Sequence, residues 1–165
     1  MDNSQLTPAA ERYIERMGLI WEAEGLPRIA GRILGFLAMQ ESATTLDDIA
    51  RALRVSKASV SNDARRLEQL HLVERLSQPG DRRDYYMIAP DMPVRVVAQK
   101  LADLERLHAA MSAARDLPET PTSVCDRLRR FGVFHGRVIQ HLRELIAAQP
   151  SDPAIGTTST PDSSQ

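Results

Sequence analysis

Cysteine is all but absent from this chain of 165 residues: Cys125 is the only one. No internal disulfide can therefore form, which fits a reducing compartment, and a cytoplasmic location is expected. Aromatic residues make up only 4% against 42% hydrophobic residues in all. A core filled by Leu, Ala, Val and Ile, in a mainly α protein, follows from that balance. No apolar run approaches the roughly 20 residues that span a bilayer. The opening MDNSQLTPAAERYIERMG has neither the basic start nor the apolar segment of a signal peptide. No membrane partner is expected. The four histidines, His71, His108, His135 and His141, lack metal-ligand spacing, since His135 and His141 stand six apart and point to different helix faces. Enzyme signatures are missing as well. There is no glycine-rich phosphate loop opening a helix, no nucleophile elbow and no His-Glu-x-x-His. Asp47 and Asp48 are adjacent on a helix and diverge, so they make no carboxylate pair. Neither a metal, a cofactor nor an enzymatic activity is expected.

A net charge of −1 argues, taken alone, against a nucleic-acid partner. Its distribution argues the other way. Residues 1–50 carry 4 Lys/Arg against 8 Asp/Glu, residues 51–83 carry 8 against 4, and residues 84–165 carry 9 against 10. The basic segment, +4, is where a phosphate backbone would sit, although charge alone does not distinguish this from an ordinary solvated face.

The first seven residues are polar and expected to fray. Thr7 with Pro8 and Glu11 has the composition of a helix start, and Tyr13, Ile14, Met17, Ile20 and Trp21 continue at helical spacing until Gly25. Pro27 opens a second helix over residues 27–40 with Ile29, Ile33, Phe36 and Leu37 on its apolar stripe. Gly31 and Gly35, four apart, leave room for another backbone to approach. Arg28 and Arg32 share a face and either touch phosphate or pair with an acidic helix such as the first. Thr44 or Thr45 caps a third helix, with Asp47 and Asp48 in its first turn and Leu46, Ile49, Ala50 and Leu53 inward. Arg54 and Val55 make a tight turn.

Ser56 then caps a fourth helix whose buried stripe is Val60, Ala64, Leu67 and Leu70. The other face carries Lys57, Ser59, Ser61, Asn62, Arg65 and Arg66, short polar and guanidinium side chains able to reach base edges and phosphates. A merely solvated helix more often shows Glu/Lys pairs. Leu72, Val73 and Leu76 begin a strand that turns at Pro79-Gly80 and returns through Tyr85, Tyr86, Met87 and Ile88. Its tip presents Asp81, Arg82 and Arg83. An arginine there can enter an adjacent minor groove, can pair with Asp81 or Asp84, or can do both, with Asp81 orienting its neighbour. Helix, turn, helix and basic hairpin in this order make a winged helix-turn-helix.

Beyond Pro90 and Pro93 a long helix runs to about Arg115, with Val94, Val97, Leu101, Leu104, His108 and Met111 at alternating steps of three and four. Pro118 and Pro121 break it. A last helix over residues 122–148 repeats the seam through Val124, Leu128, Phe131, Val138, Leu142 and Leu145, and Phe134, Ile139 and Ile146 widen it. Such spacing calls for antiparallel packing or a coiled-coil partner. Residues 1–24 and 91–149 are thus expected to form a helical dimerisation region, residues 25–90 the DNA-binding winged helix, and residues 150–165 a disordered tail.

The stretches GLPRIAGRILGFL (Gly25–Leu37), SKASVSNDARRLEQLHLVER (Ser56–Arg75) and PGDRRDYY (Pro79–Tyr86) resemble the MarR family of winged-helix regulators, in particular its branch named for the glycine-betaine regulator. The resemblance spans roughly residues 11–148. It implies a homodimer with intertwined terminal helices, binding double-stranded DNA at a near-palindromic site. It places the family's Asp-x-Arg wing signature on Asp81 and Arg83. It further implies a repressor released by a small lipophilic effector and an efflux or stress operon as its target. Ser56, Lys57, Ser59, Ser61, Asn62, Arg65, Arg66, Arg82 and Arg83 are the candidate DNA contacts. Trp21, Phe36, Phe131 and Phe134 are the candidate lining of an effector pocket, although for each an ordinary core role carries more weight. Cys125, near a helix start, is either a peroxide-sensing thiol or, more often for a free cysteine, a packed one. Two other readings stay open: a winged helix serving as a protein-interaction module, and an architectural DNA-binding protein or activator that senses nothing.

Overall fold

The computed structural model describes residues 6–149, so the expectations for the first five residues and for the tail from Pro150 lie outside it. The chain divides into two compact units, Met1–Arg95 and Val96–Gln165.

In the first unit, α1 (Pro8–Ala23) starts where Thr7 accepts the Ala10 amide on its hydroxyl at 3.2 Å, with Pro8 in the first turn. Thr7 is thus the cap that its place before Pro8 offered in the sequence. The helix closes with paired bonds from the Gly25 amide to the Glu22 carbonyl and from Leu26 to Trp21, which require a left-handed residue at Gly25. α2 (Arg28–Leu37) packs back against α1 at very close range. A Cβ on Gly31 would stand 2.8 Å from Trp21 Cβ and 2.9 Å from the Met17 carbonyl, and one on Gly35 would stand 2.8 Å from Met17 Cβ. The two glycines four apart therefore serve helix packing, Gly31 against Gly18 and Met17 and Gly35 against Met17 and Ile14 of α1.

β1 (Thr44–Thr45) leads straight into α3 (Leu46–Leu53), and α4 (Lys57–Gln69) follows after a turn. Thr45 is the α3 cap, accepting the Asp48 amide at 3.2 Å and donating to Asp48 Oδ2 at 2.6 Å. α3 and α4 both end as α1 does, but the left-handed residues there are Arg54 (φ 55°) and His71 (φ 56°) rather than glycine. β2 (Val73–Ser77) and β3 (Asp84–Ile88) form the hairpin, and β3 is the centre of a three-stranded antiparallel sheet with β1 on its other edge. Thr44 pairs with Tyr86 and Thr45 with Tyr85, so the wing is rooted on the residue that caps α3. β1 was not expected: two threonines before a helix carry no strand periodicity.

The core of this unit joins Ile14, Ala30, Ile33, Leu34, Leu37, Ile49, Leu53, Val60, Ala64, Leu67, Val73 and Tyr86, all nearly or fully buried. The stripe expected on α4 holds for Val60, Ala64 and Leu67 but not for Leu70, which is 48% exposed. Leu70 is the helix C-cap, and the chain leaves the helical path there through His71, so its side chain no longer follows the stripe.

α5 (Met92–Arg115) begins at the end of the first unit and continues into the second, where α6 (Thr122–Ala147) completes it. The two helices run antiparallel there. Arg143 donates to Glu105 Oε1 at 3.0 and 2.6 Å, and the Cys125 sulfur lies 3.6 Å from the Arg115 carbonyl and 3.8 Å from that of Thr120. The sulfhydryl thus faces two carbonyl oxygens, a setting for a packed thiol. Few side chains are covered: α5 has no buried residue and α6 only Ile139.

Candidate nucleic-acid interface

α4 exists as a separate helix because Ser56 closes its first turn. The Ser59 amide donates to Ser56 Oγ at 3.1 Å, and the two hydroxyls lie 2.8 Å apart. With Val60, Ala64 and Leu67 locked into the core, the helix has one rotational setting, and that setting exposes Lys57, Asn62, Arg65 and Arg66, with Ser59 and Ser61 half-exposed. Arg65 bonds within its own helix, Nη2 to Asn62 Oδ1 at 2.7 Å and Nε to the Ser61 carbonyl at 3.2 Å. The Asn62 oxygen is thereby engaged as an acceptor. Lys57 pairs with Asp47 of α3 at 2.7 Å. Both partners are exposed, so the pair is weak and exchangeable for a phosphate. The side chains of Arg66 and Arg82 make no ion pair or hydrogen bond among the described residues, and both are exposed. A guanidinium free of hydrogen bonds is the cheapest to hand to a phosphate, since no existing bond has to break, although the Arg66 charge does act on Asp63 of the same helix.

The wing tip is more ordered than its exposure suggests. The Arg83 amide donates to Asp81 Oδ1 at 2.9 Å, and the Arg83 guanidinium grips the same carboxylate through Nε at 2.9 Å and Nη2 at 2.6 Å. Tyr85 completes a triangle: its hydroxyl donates to Asp81 Oδ2 at 2.7 Å and accepts from Arg83 Nη2 at 3.1 Å, with the guanidinium 5.7 Å from its ring centre. The side-chain and backbone bonds from Arg83 hold the Asp81 carboxyl well below the usual carboxylate range. The same bond pushes the Arg83 pKa upward, and the bond to Asp81 pushes that of Tyr85 upward. Asp84, the other acid beside the tip, instead pairs with Arg75 across the strands at 2.9 Å.

The root of the wing is fixed electrostatically too. The Thr45 hydroxyl bond, followed by the bond to Arg51, lowers the pKa of Asp48, and the Arg83 charge acts on it in the same direction. Sequence reasoning found Asp81 and Arg83 but missed Tyr85. Its signal was alternation at the start of β3, which sets Tyr85 two residues after Arg83, the residue that leads into the strand. Arg28 and Arg32 pair with the acidic helix: Arg28 donates to Glu15 Oε2 of α1 at 3.0 Å, and Arg32 Nε stands 2.7 Å from Glu15 Oε1 as an ion pair without hydrogen-bond alignment.

The four aromatic candidates are divided between the two units, two in each. Phe36, in the first unit, is nearly buried, and its edge lines a half-polar groove of about 430 Å³ with Leu6, Ala10, Met39, Asp48 and Arg51. Trp21, also in the first unit, is not part of that groove; its Cβ bears on Gly31, and its buried Nε1 has no hydrogen-bond partner among the described residues. Phe131 and Phe134, in the second unit, are both exposed. Among the described residues no group of three or more His, Cys, Asp or Glu could hold a metal, and no helix is long and apolar enough to cross a membrane.

Comparison with known proteins gives this layout a context. The sequence profile of the MarR family matches residues 24–84, the stretch from α2 to the wing tip. The HTH-type transcriptional regulator MmpR5 of Mycobacterium tuberculosis is 32% identical over 151 residues, which cover 89% of this chain and 84% of that protein. The HTH-type transcriptional repressor OpcR of Bacillus subtilis is 29% identical over 83 residues, half of this chain and 45% of that one. Among solved structures, a transcriptional regulator with 27% sequence identity superposes with a TM-score of 0.64, covering 85% of this chain and 97% of its own.

Proposed function

The chain belongs to the MarR family of transcriptional regulators, and on that footing we propose that it acts as a homodimeric repressor that reads a near-palindromic operator with α4 and the wing. The observation that carries this reading is the exposed face of α4: serine, asparagine and arginine side chains on a helix whose opposite face is fully locked in the core. In a dimer the two α4 helices would enter successive major grooves about 34–36 Å apart. Lys57, Arg65 and Arg66 supply phosphate contacts or guanine readout, Ser56, Ser59, Ser61 and Asn62 probe base edges, and Arg82 and Arg83 extend contact to the neighbouring minor groove. Helix α1 and residues 91–149 form the dimerisation region, residues 25–90 the DNA-binding region. The motif order supports the branch named for the glycine-betaine regulator as the finer reading. A small lipophilic effector that releases DNA, and an efflux or stress operon as target, follow from the same family resemblance, as does a cytoplasmic location. OpcR, a repressor, supports repression over activation.

A gel-shift against the upstream region of its own gene tests the reading. Arg83→Ala is expected to weaken binding to all sequences alike. Asn62→Ala is expected to alter sequence preference, at about 1–3 kcal/mol for a base contact. Binding to duplex DNA that is indifferent both to these changes and to salt would favour a protein-interaction module instead. Repeating the shift with a panel of lipophilic compounds separates a ligand-released repressor from one that senses nothing.

A further inference from the structure

Arg32 is mostly covered, and it makes contact in two directions from the middle of α2. Its Nε stands 2.7 Å from Glu15 Oε1 on α1, and its Nη2 donates to the Leu53 carbonyl at 2.8 Å. Leu53 is the last residue of α3, where helix carbonyls have no partner within the helix and the negative end of the dipole favours a cation. The next residues are Arg54, in the left-handed conformation, and Ser56, the cap of α4. The guanidinium therefore holds the chain at the point where it departs toward α4. A second strut lies beside the first: Arg54 donates to Glu11 Oε1 at 3.2 Å. Glu11, Glu15, Arg32, Leu53 and Arg54 line a small cavity of about 170 Å³.

Behind this network α1 and α2 cannot slide. Gly31 Cα faces Gly18 and Met17 so closely that even a methyl group would collide with backbone. Interfaces packed in this way move as one body or jump between discrete arrangements; they do not deform gradually. A displacement of α1 must then be passed on through whatever joins the α1–α2 pair to the turn, and Arg32 is the covered charge that does so.

We propose that Arg32 is a positioning residue for α4, holding the Leu53 carbonyl against Glu15 so that the setting of α1 determines how α4 is aimed. This rests on α4 being the DNA-reading helix. Arg32→Lys keeps the charge but replaces a two-ended fork by a point charge that cannot hold both partners. The probe is a duplex enriched from a randomised library by the wild-type protein, compared with a random duplex of equal length. For Arg32→Lys the enriched duplex is expected to bind about tenfold more weakly, a loss typical of one charge-assisted hydrogen bond. Binding to the random duplex, governed by net charge, should be unchanged. Glu15→Gln, on the half-exposed partner, should also lower the ratio of specific to non-specific affinity, and it keeps the test decisive should Arg32→Lys not fold. A purely structural role would lower the melting temperature and leave that ratio intact. An unchanged ratio in Glu15→Gln, or in a folded Arg32→Lys, overturns the proposal. A wild-type protein that enriches no sequence overturns instead the reading of α4 on which it rests.

Discussion

At the wing tip three side chains, Asp81, Arg83 and Tyr85, depend on one another; the two bonds from Arg83 are exposed to solvent and that from Tyr85 to Asp81 is partly buried. An exposed ion pair contributes little to folding. Its effect here is on conformational freedom: Asp81 holds the guanidinium in one orientation, so less entropy is lost when it enters a groove. Asp81→Asn is thus expected to leave the unfolding temperature unchanged while lowering operator affinity in a binding titration, and Tyr85→Phe should do the same to a smaller degree. The pH dependence follows from the depressed Asp81 pKa. A carboxylate whose folded pKa lies below its unfolded value makes its contribution above the unfolded value, and loses it only as pH falls through the folded one. The anchor therefore persists through the whole range from neutrality to about pH 5, and affinity titrations across it should show no inflection from the wing. Burial sets the other residue-scale contrast. Leu67→Ala empties a fully buried position and should cost about 2–5 kcal/mol in urea unfolding. Leu70→Ala, at a half-exposed cap, should cost well under half of that. The sequence pattern alone treats the two as equals, because periodicity continues for as long as leucines do and does not register where the backbone turns away.

The helices themselves were legible, since proline, threonine and serine starts and three- or four-residue apolar steps mark all six. What was not legible is what the elements do to each other. Thr44–Thr45 becomes a strand only because β3 arrives beside it from forty residues away, and the choice of Glu15 as the partner of Arg28 and Arg32 needs the crossing of α1 and α2. The glycines announced a close approach without naming the neighbour. That neighbour now makes a prediction that runs against helix propensity. Gly→Ala inside a solvent-exposed helix stabilises by about 0.5–1 kcal/mol, yet Gly31→Ala must displace the backbone at Met17 and Gly18 and should destabilise by about 1–3 kcal/mol, the usual cost of overpacking, in chemical denaturation. Helix ends give the opposite sign. His71 occupies a left-handed position at about 1–2 kcal/mol of steric cost, part of which glycine returns as unfolded-state entropy. His71→Gly should therefore raise stability by about 0.5–1 kcal/mol, whereas Gly25→Ala, at φ 91°, should lower it.

For the molecule as a whole, the two long C-terminal helices do not account for themselves. α5 runs 24 residues without a buried side chain, α6 runs 26 with one, and Leu107, Phe131, Val133, Phe134 and Leu145 lie exposed on them. The seam residues Val97, Leu101, Leu104, Val138 and Leu142 are only half covered. Helices of this length draw most of their stability from packing an apolar face, so a face left open within one subunit argues for a partner that closes it. A second copy is the partner the proposed function requires, because one winged helix with a local charge of +4 neutralises few phosphates. Phe131→Glu combined with Phe134→Glu should convert the protein to monomers in sedimentation, while far-ultraviolet dichroism keeps its helical signal. In a monomer the number of phosphates engaged falls by half, so the slope of log affinity against log salt should also fall by about half, with specific binding lost well before non-specific binding. Dimers that persist with an unchanged salt slope would show that these phenylalanines lie outside the subunit contact and that the exposed face of α6 serves something other than self-association.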